Sequence, residues 1–271
     1  MPETKAGRYS RIIAEIFNSH FTEGSDGFEW DRTEIGEAAD SLGIEIRNFG
    51  DLIYTYRFRR PLPEHIRQRA PAGLQWVIRL AGRGKYRFAA VENPWLEPDP
   101  SIIVTKVPDA TPEILKETAL NDEQAILTRV RYNRLIDLFL GVTAYSLQNH
   151  LRTSAEDIGQ TEIDEVYVAV DHNGAQYIVP VQAKGGSDKL GIVQVEQDIY
   201  VCREKWDRLT TRPVAAQFSR GGDISLFELA LQDDEIVKVR EARYRLVEEP
   251  LSDEDRALYA SRSGVAVPSG V

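Results

Sequence analysis

Residues 161–197 read TEIDEVYVAVDHNGAQYIVPVQAKGGSDKLGIVQVEQ, two apolar β-branched runs seeded with a few polar side chains. Asp164 sits in the first run, and Gln182-Ala183-Lys184 closes the second. Side chains two apart on a strand share a face, so Gln182 projects with Lys184 and Glu162 with Asp164. A turn at Asp171-His172-Asn173-Gly174 folds the runs into a hairpin that brings Asp164, Gln182 and Lys184 to one small site. A carboxylate, an amide oxygen and an ammonium can together hold a hard divalent cation and an attacking water. The valine and isoleucine around them read as strands buried on both faces. Charge in such strands is costly unless it is paired or metal-bound. A plain Asp164–Lys184 ion pair at a strand edge is the simpler reading of the same pattern.

The elements that must position these groups follow from periodicity. Asn121-Asp122-Glu123-Gln124 reads as a helix start, and the helix runs to Leu140 with Gly141 as its stop. Ile126, Leu127, Val130, Leu135, Ile136 and Phe139 form its buried face, and Asn133 and Asp137 share another. TAYSLQNHLRTSA reads as a strand and Asp157-Ile158-Gly159 as a turn. After Lys184, the segment GIVQVEQDIYVCREKW is a helix carrying Gln194 and Gln197. RPVAAQFS is a further strand and ISLFELALQDDEIVKVREARYRLVEE a meander. Ser252 opens a terminal helix, and residues 263–271 read as a frayed end.

Helix, strand, acidic strand, Lys-ending strand, helix, strand is an order that resembles the PD-(D/E)xK nuclease superfamily, over about residues 120–220. Within it the chain looks like restriction-endonuclease-type members. Asp164 falls on the metal-binding aspartate and Gln182-Ala183-Lys184 on the (D/E)-x-K tripeptide, while Gln194 or Gln197 falls on the polar helix that follows. The resemblance implies Mg²⁺, or Mn²⁺, held by Asp164, the Gln182 amide and the Ala183 carbonyl. Lys184 would orient the water and offset charge in the transition state. Glu162 would add charge, and Asp137 would be the accessory acid, with Asn133 and Glu123 as rivals. The family's glutamate is Gln182 here, a neutral and weaker ligand for a hard cation. Some family members with this exchange are active and some are not.

The front of the chain reads differently. RYSRIIAEIFNSHF has helical spacing, a Gly/Ser/Asp loop follows at 23–27, and Asp31 with Glu34 opens a second helix that Gly43 ends. A further helix is expected over 46–57, with Phe49, Ile53 and Tyr56 inward and Arg47, Asn48 and Arg57 outside. LQWVIRLAGRGKYRFAAV then makes a hairpin with a basic tip at Arg83 and Lys85. This order resembles the winged-helix family over about residues 8–91. The resemblance implies DNA contact through Arg47, Asn48, Arg57 and Arg59, with Arg83 and Lys85 on the wing. Five prolines in 93–112, with a short strand at 101–105, read as a linker. The expected division is residues 1–110, winged-helix-like, and 111–271, nuclease-like.

Net charge is −10, which argues against a protein that coats nucleic acid. Between Arg47 and Arg87, however, ten Lys or Arg face two acids, a local +8 suited to an anionic partner on one surface. A solvated basic face without a ligand is the plainer alternative. The single cysteine, Cys202, excludes a disulfide framework and a multi-cysteine zinc site, and points to a reducing cytoplasmic setting. No signal peptide, membrane span or phosphate-binding glycine loop is visible. The four histidines lack ligand spacing, and the four tryptophans are scattered with no stacking platform in view.

The expected fold is therefore α/β: a restriction-endonuclease-like mixed sheet flanked by helices, preceded by a smaller winged-helix-like α+β domain. The expected function is a Mg²⁺-dependent endonuclease on double-stranded DNA, in restriction or phage defence, working as a homodimer. A DNA-binding regulator with an inactive nuclease fold is the alternative, and a repair or recombination nuclease a third.

Overall fold

The computed structural model describes residues 4–118, 123–156, 159–185, 188–219 and 221–262. The expected helix start at Asn121-Asp122, the turn at Asp157-Ile158 and the end at 263–271 lie outside these residues.

The front half packs four helices on a small sheet. Helix α1 (Lys5–His20) is capped by the Thr4 hydroxyl and buries Ile12, Ile13, Ile16 and Phe17 on one face. Strand β1 (Gly27–Asp31) follows, where the sequence suggested only a loop and a cap. Its five residues are too few for alternation to stand out, yet Trp30 is buried between acidic neighbours. The second helix has Thr33 at its N-cap and not the expected Asp31, so the capping box does not form, although the Asp31 N–H donates to the Glu34 carboxylate at 2.7 Å. Helix α2 (Glu34–Ser41) comes next. Helix α3 (Phe49–Tyr54) is capped by Asn48 and passes into a π-helical turn, Thr55–Arg59, before the short α4 (Glu64–Arg67). Strands β2 (Gln75–Gly82) and β3 (Lys85–Val91) form the expected hairpin, and β1 pairs with the outer side of β3.

The rear half is an α/β unit around an eight-stranded mixed sheet. The strands are β5 (Val104–Pro108), β6 (Thr143–Ala155), β7 (Gly159–Val170), β8 (Gln176–Lys184), β10 (Thr210–Thr211), β11 (Val214–Phe218), β12 (Ile224–Gln232) and β13 (Glu235–Val247). Their order is β5-β13-β12-β11-β8-β7-β6, with β10 also on β8. Most neighbours are antiparallel, but β8 runs parallel to β11 and β5 to β13. The parallel β8–β11 pair needs a crossover, and α8 (Ile192–Lys205) supplies it. β5 already belongs to this sheet, ahead of the expected boundary at 110.

Helices cover both faces. On one lie α6 (Glu123–Tyr132) and α7 (Leu135–Leu140), packed on Val179, Val181 and Ala183. On the other lies α8, packed on Ile178, Val166 and Ala215. The single helix expected to Leu140 is broken because Arg134 takes a left-handed backbone, φ 50°. The Asn133 side chain before it is drawn aside to the Ala110 N–H and the Thr111 hydroxyl. Helices α5 (Glu113–Thr118) and α9 (Asp253–Arg262) lie outside the main core.

A third cluster joins the halves. Phe58, Val77, Val91 and Leu96 pack with Val193, Ile199 and Phe227. A two-residue strand β4 (Trp95–Leu96) pairs with β9 (Leu190–Gly191), which leads directly into α8. No helix among the described residues is long and apolar enough to cross a membrane.

Candidate active site

The β7–β8 ladder ends at Glu165↔Val181, while β8 continues on β11 as far as Lys184↔Gln217. One step beyond the last β7 pair, Asp164 comes level with Gln182. Its carboxylate accepts the Ala183 N–H at 2.8 Å, in place of the next backbone partner. The fork between parting strands is what opens room for a site. Burial pushes the Asp164 carboxyl above its usual range and nearby Glu123 pushes the same way; the Ala183 N–H, Lys184 and His150 oppose it.

Lys184 stands at the end of β8, its side chain 16 % exposed, and donates to Glu123 at 2.7 Å. Glu123, the first residue of α6, is thus the acid that reaches the site. Asp137, the accessory acid expected from the sequence, does not. Its carboxylate binds Arg134 and the Ala144 N–H and lines a separate hollow with Asn133 and Asp171. The break between α6 and α7 carries it there, because a continuous helix would have kept a different phase.

Gln182 is buried and fully engaged. Its amide nitrogen donates to Asp198 at 2.8 Å and to the Glu162 carbonyl at 3.2 Å. Its oxygen accepts from Gln194 at 2.7 Å. The expected ligand atom is therefore turned to α8 rather than to solvent. Asp198 is the residue that sequence reasoning missed. Burial, and then Asp164, push its carboxyl well above the usual range, and among the described residues its Oδ1 has no hydrogen-bond partner. The signal for it was present: a carboxylate four residues after Gln194, set among the apolar Val195, Ile199 and Cys202.

Gln197, also expected at the site, points elsewhere. Its oxygen accepts from the Arg57 guanidinium at 3.0 Å. Arg57 in turn is no surface reader: it is 9 % exposed and also donates to the Ile78 carbonyl. Burial lowers its pKa to about 10. The π-helical turn rotates it inward, a change of phase that regular helical spacing does not anticipate. Asn48 serves as the α3 cap. Arg79 also leaves the expected basic face, ion-pairing with Glu196 at 3.2 Å and with Glu235.

Glu162 is 40 % exposed and binds His150 at 3.0 Å and Arg152 at 3.2 Å. His150 lies opposite Asp164 across β6–β7, between the pairs Asn149↔Glu165 and Leu151↔Ile163, with a left-handed φ of 46°. Glu165 faces away from Asp164, as strand alternation requires, and is fully buried against Arg131 at 2.8 Å.

Comparison with known proteins finds no matching family model, curated protein or solved structure. The site must be read from its own atoms.

Above Lys184 and Glu123 opens a cleft of ≈ 720 Å³, its other wall built by the front half through Tyr54, Phe58, Arg59, Arg60 and Pro61. Among the described residues, no three His, Cys, Asp or Glu side chains converge enough to hold a metal by themselves. Mg²⁺, however, is commonly held through one or two carboxylates together with waters and substrate phosphates. Asp164 and Glu123 offer two such carboxylates, and the charge of Glu123 acts on Asp164. Their donor set fits a hard cation, with the Gln182 oxygen outside it.

Proposed function

We propose that the chain is a metal-dependent endonuclease that hydrolyses phosphodiester bonds in DNA, on a restriction-endonuclease-like sheet with a winged-helix-like front half. The observation that carries this is that Lys184 and Glu123 line a cleft walled by Arg59 and Arg60, with Asp164 close enough behind them at the fork of β7 and β8 to be acted on by both charges.

Asp164 and Glu123 would hold Mg²⁺ or Mn²⁺. Such a cation lowers the pKa of bound water and neutralises charge on the phosphoryl oxygens. Lys184 places an ammonium where negative charge develops, and its partner Glu123 fixes that ammonium in place. Asp164 is positioned by the Ala183 N–H, so its carboxylate is aimed by the backbone. Arg59 and Arg60 meet phosphates in the cleft, while Arg47, Arg83 and Lys85, all exposed, contact the backbone further out. Cutting both strands of a duplex takes two such sites, so a homodimer is the working assembly. A role in restriction or phage defence follows from the same reading.

One observation favours a second reading, a DNA-binding regulator with an inactive nuclease fold. The Gln182 oxygen is held by Gln194, which leaves fewer ligands than an active site of this kind uses.

Incubating the protein with supercoiled plasmid, methylated and unmethylated, in Mg²⁺ or EDTA separates the two. The expected result is nicking or cutting in Mg²⁺ alone. Lys184→Ala should lower the rate by about 10²–10³-fold, the usual loss for one charge-stabilising group, while leaving plasmid binding intact. Binding without cleavage of any substrate, and no effect of Lys184→Ala, would establish the regulator.

A further inference from the structure

The cleft above Lys184 is lined by three aromatic side chains, two of them four residues apart and the third from a separate element. Tyr54 ends α3, Phe58 follows in the π-helical turn, and Trp95 comes from β4. Tyr54 is 46 % exposed although its ring is large and mostly apolar. Its centroid lies 5.3 Å from that of Phe58, edge to face. The Arg59 guanidinium lies 4.8 Å from the Tyr54 ring centre. Arg59 and Arg60 are exposed, and among the described residues neither ion-pairs with a carboxylate. Lys184 and Lys189 on the opposite wall add positive charge, offset in part by Glu123 and Asp188.

This combination selects a kind of ligand. Guanidinium groups without a carboxylate partner, next to one exposed and two half-buried rings, suit a molecule that carries both phosphates and flat faces. Duplex DNA offers the phosphates but not the faces, since each base pair is covered by its neighbours. Nor does a duplex enter a concavity this small: ≈ 720 Å³ lies within the range of about 300–1,000 Å³ that holds a compact organic ligand. An unpaired nucleotide presents both features at once.

We propose that the cleft binds an unpaired polynucleotide strand, its bases stacked on Tyr54, Phe58 and Trp95 and its phosphates on Arg59 and Arg60. Delivery of the neighbouring phosphodiester to Lys184 rests on the nuclease reading above; the binding itself does not. The strand that reaches each cleft is then unpaired: a single strand, a flap or a stretch of duplex opened locally.

The test is fluorescence anisotropy on the full chain in EDTA, with end-labelled oligothymidylate against a blunt duplex of equal length. The expected result is at least tenfold tighter binding of the single strand. Tyr54→Ala should weaken it by roughly 5–150-fold, the range set by about 1–3 kcal/mol per stacked base. Oligothymidylate should quench tryptophan emission in the wild type but not in Trp95→Phe, and Arg59→Ala should flatten the salt dependence. Equal or tighter duplex binding overturns the proposal. So does wild-type affinity in both ring variants with unchanged circular dichroism, because the rings then merely pack. Single-strand binding with this pattern but no Mg²⁺-dependent cleavage would leave the cleft proposal standing and remove the nuclease reading. Cleavage of intact duplex at equal rates by wild type and Tyr54→Ala would do the reverse.

Discussion

Gln182 has two polar atoms, and both are engaged inside the protein, with Gln194, Asp198 and a backbone carbonyl. Asp198 is what makes the arrangement pH-sensitive. A carboxyl whose folded pKa lies above its unfolded value binds its proton more tightly when folded. Its stabilising effect is then present at low pH and is lost as pH rises past the unfolded value. Asp198→Asn imitates the protonated acid and should be more stable than wild type near about pH 8, by roughly 1–3 kcal/mol for a buried group relieved of an unmet partner. The two proteins should converge below about pH 4, where the unfolded carboxyl is also protonated. Urea unfolding midpoints across that range check this, and a difference that grows toward acid would refute it. Gln182→Glu makes the complementary prediction. A further carboxylate beside Asp164 and Asp198 should lower the melting temperature in EDTA, and millimolar Mg²⁺ should restore more of it than in wild type. Equal Mg²⁺ response in both proteins would argue against a cation at this fork.

Among the elements, α8 carries side chains toward two destinations one turn apart. Gln194 and Asp198 meet Gln182, while Gln197 meets Arg57 in the front half. Arg57→Leu should strand the Gln197 amide oxygen and the Ile78 carbonyl, at about 1–3 kcal/mol for each unsatisfied buried group. Adding Gln197→Leu should recover part of that loss in a double-mutant cycle, read by urea denaturation. Strictly additive losses would mean the two side chains are not coupled. The same elements show what was legible beforehand. Strands β7 and β8 and helix α8 were readable, because long valine-rich runs and regular apolar spacing have few alternative structures. Asp164, Gln182 and Lys184 accordingly lie on neighbouring strands, but the polar atoms of Gln182 turn to α8 and not to Asp164 and Lys184. The places of Arg57, Asp137 and Gln197 were not legible, and each miss has a geometric origin. A π-helical turn re-aims Arg57, and a break at Arg134 moves Asp137 away. The Arg57–Gln197 bond spans 140 residues, and no local pattern encodes it.

At the level of the whole molecule, the front and rear halves are not beads on a linker. Phe58, Val77 and Val91 share a core with Val193, Ile199 and Phe227, and Arg79 bridges β2 to α8. Thermal unfolding should accordingly be one transition, with calorimetric and van't Hoff enthalpies in agreement and the same midpoint by tryptophan emission and circular dichroism. Two resolved transitions would show the halves melting independently. The proline-rich stretch read as a linker is instead part of the packed fold: β4 and β5 within it are pinned to β9 and β13, and its strand lies at Val104–Pro108 and not at 101–105.

Trp95 lies against Gly191, where an added Cβ would come within 3.3 Å of the indole ring. That residue immediately precedes the helix bearing Gln194. A methyl group at 191 requires the indole or the helix start to give by a few tenths of an ångström. A bare α-carbon thus acts as a spacer gauge, setting the aperture and the helix position by a single dimension.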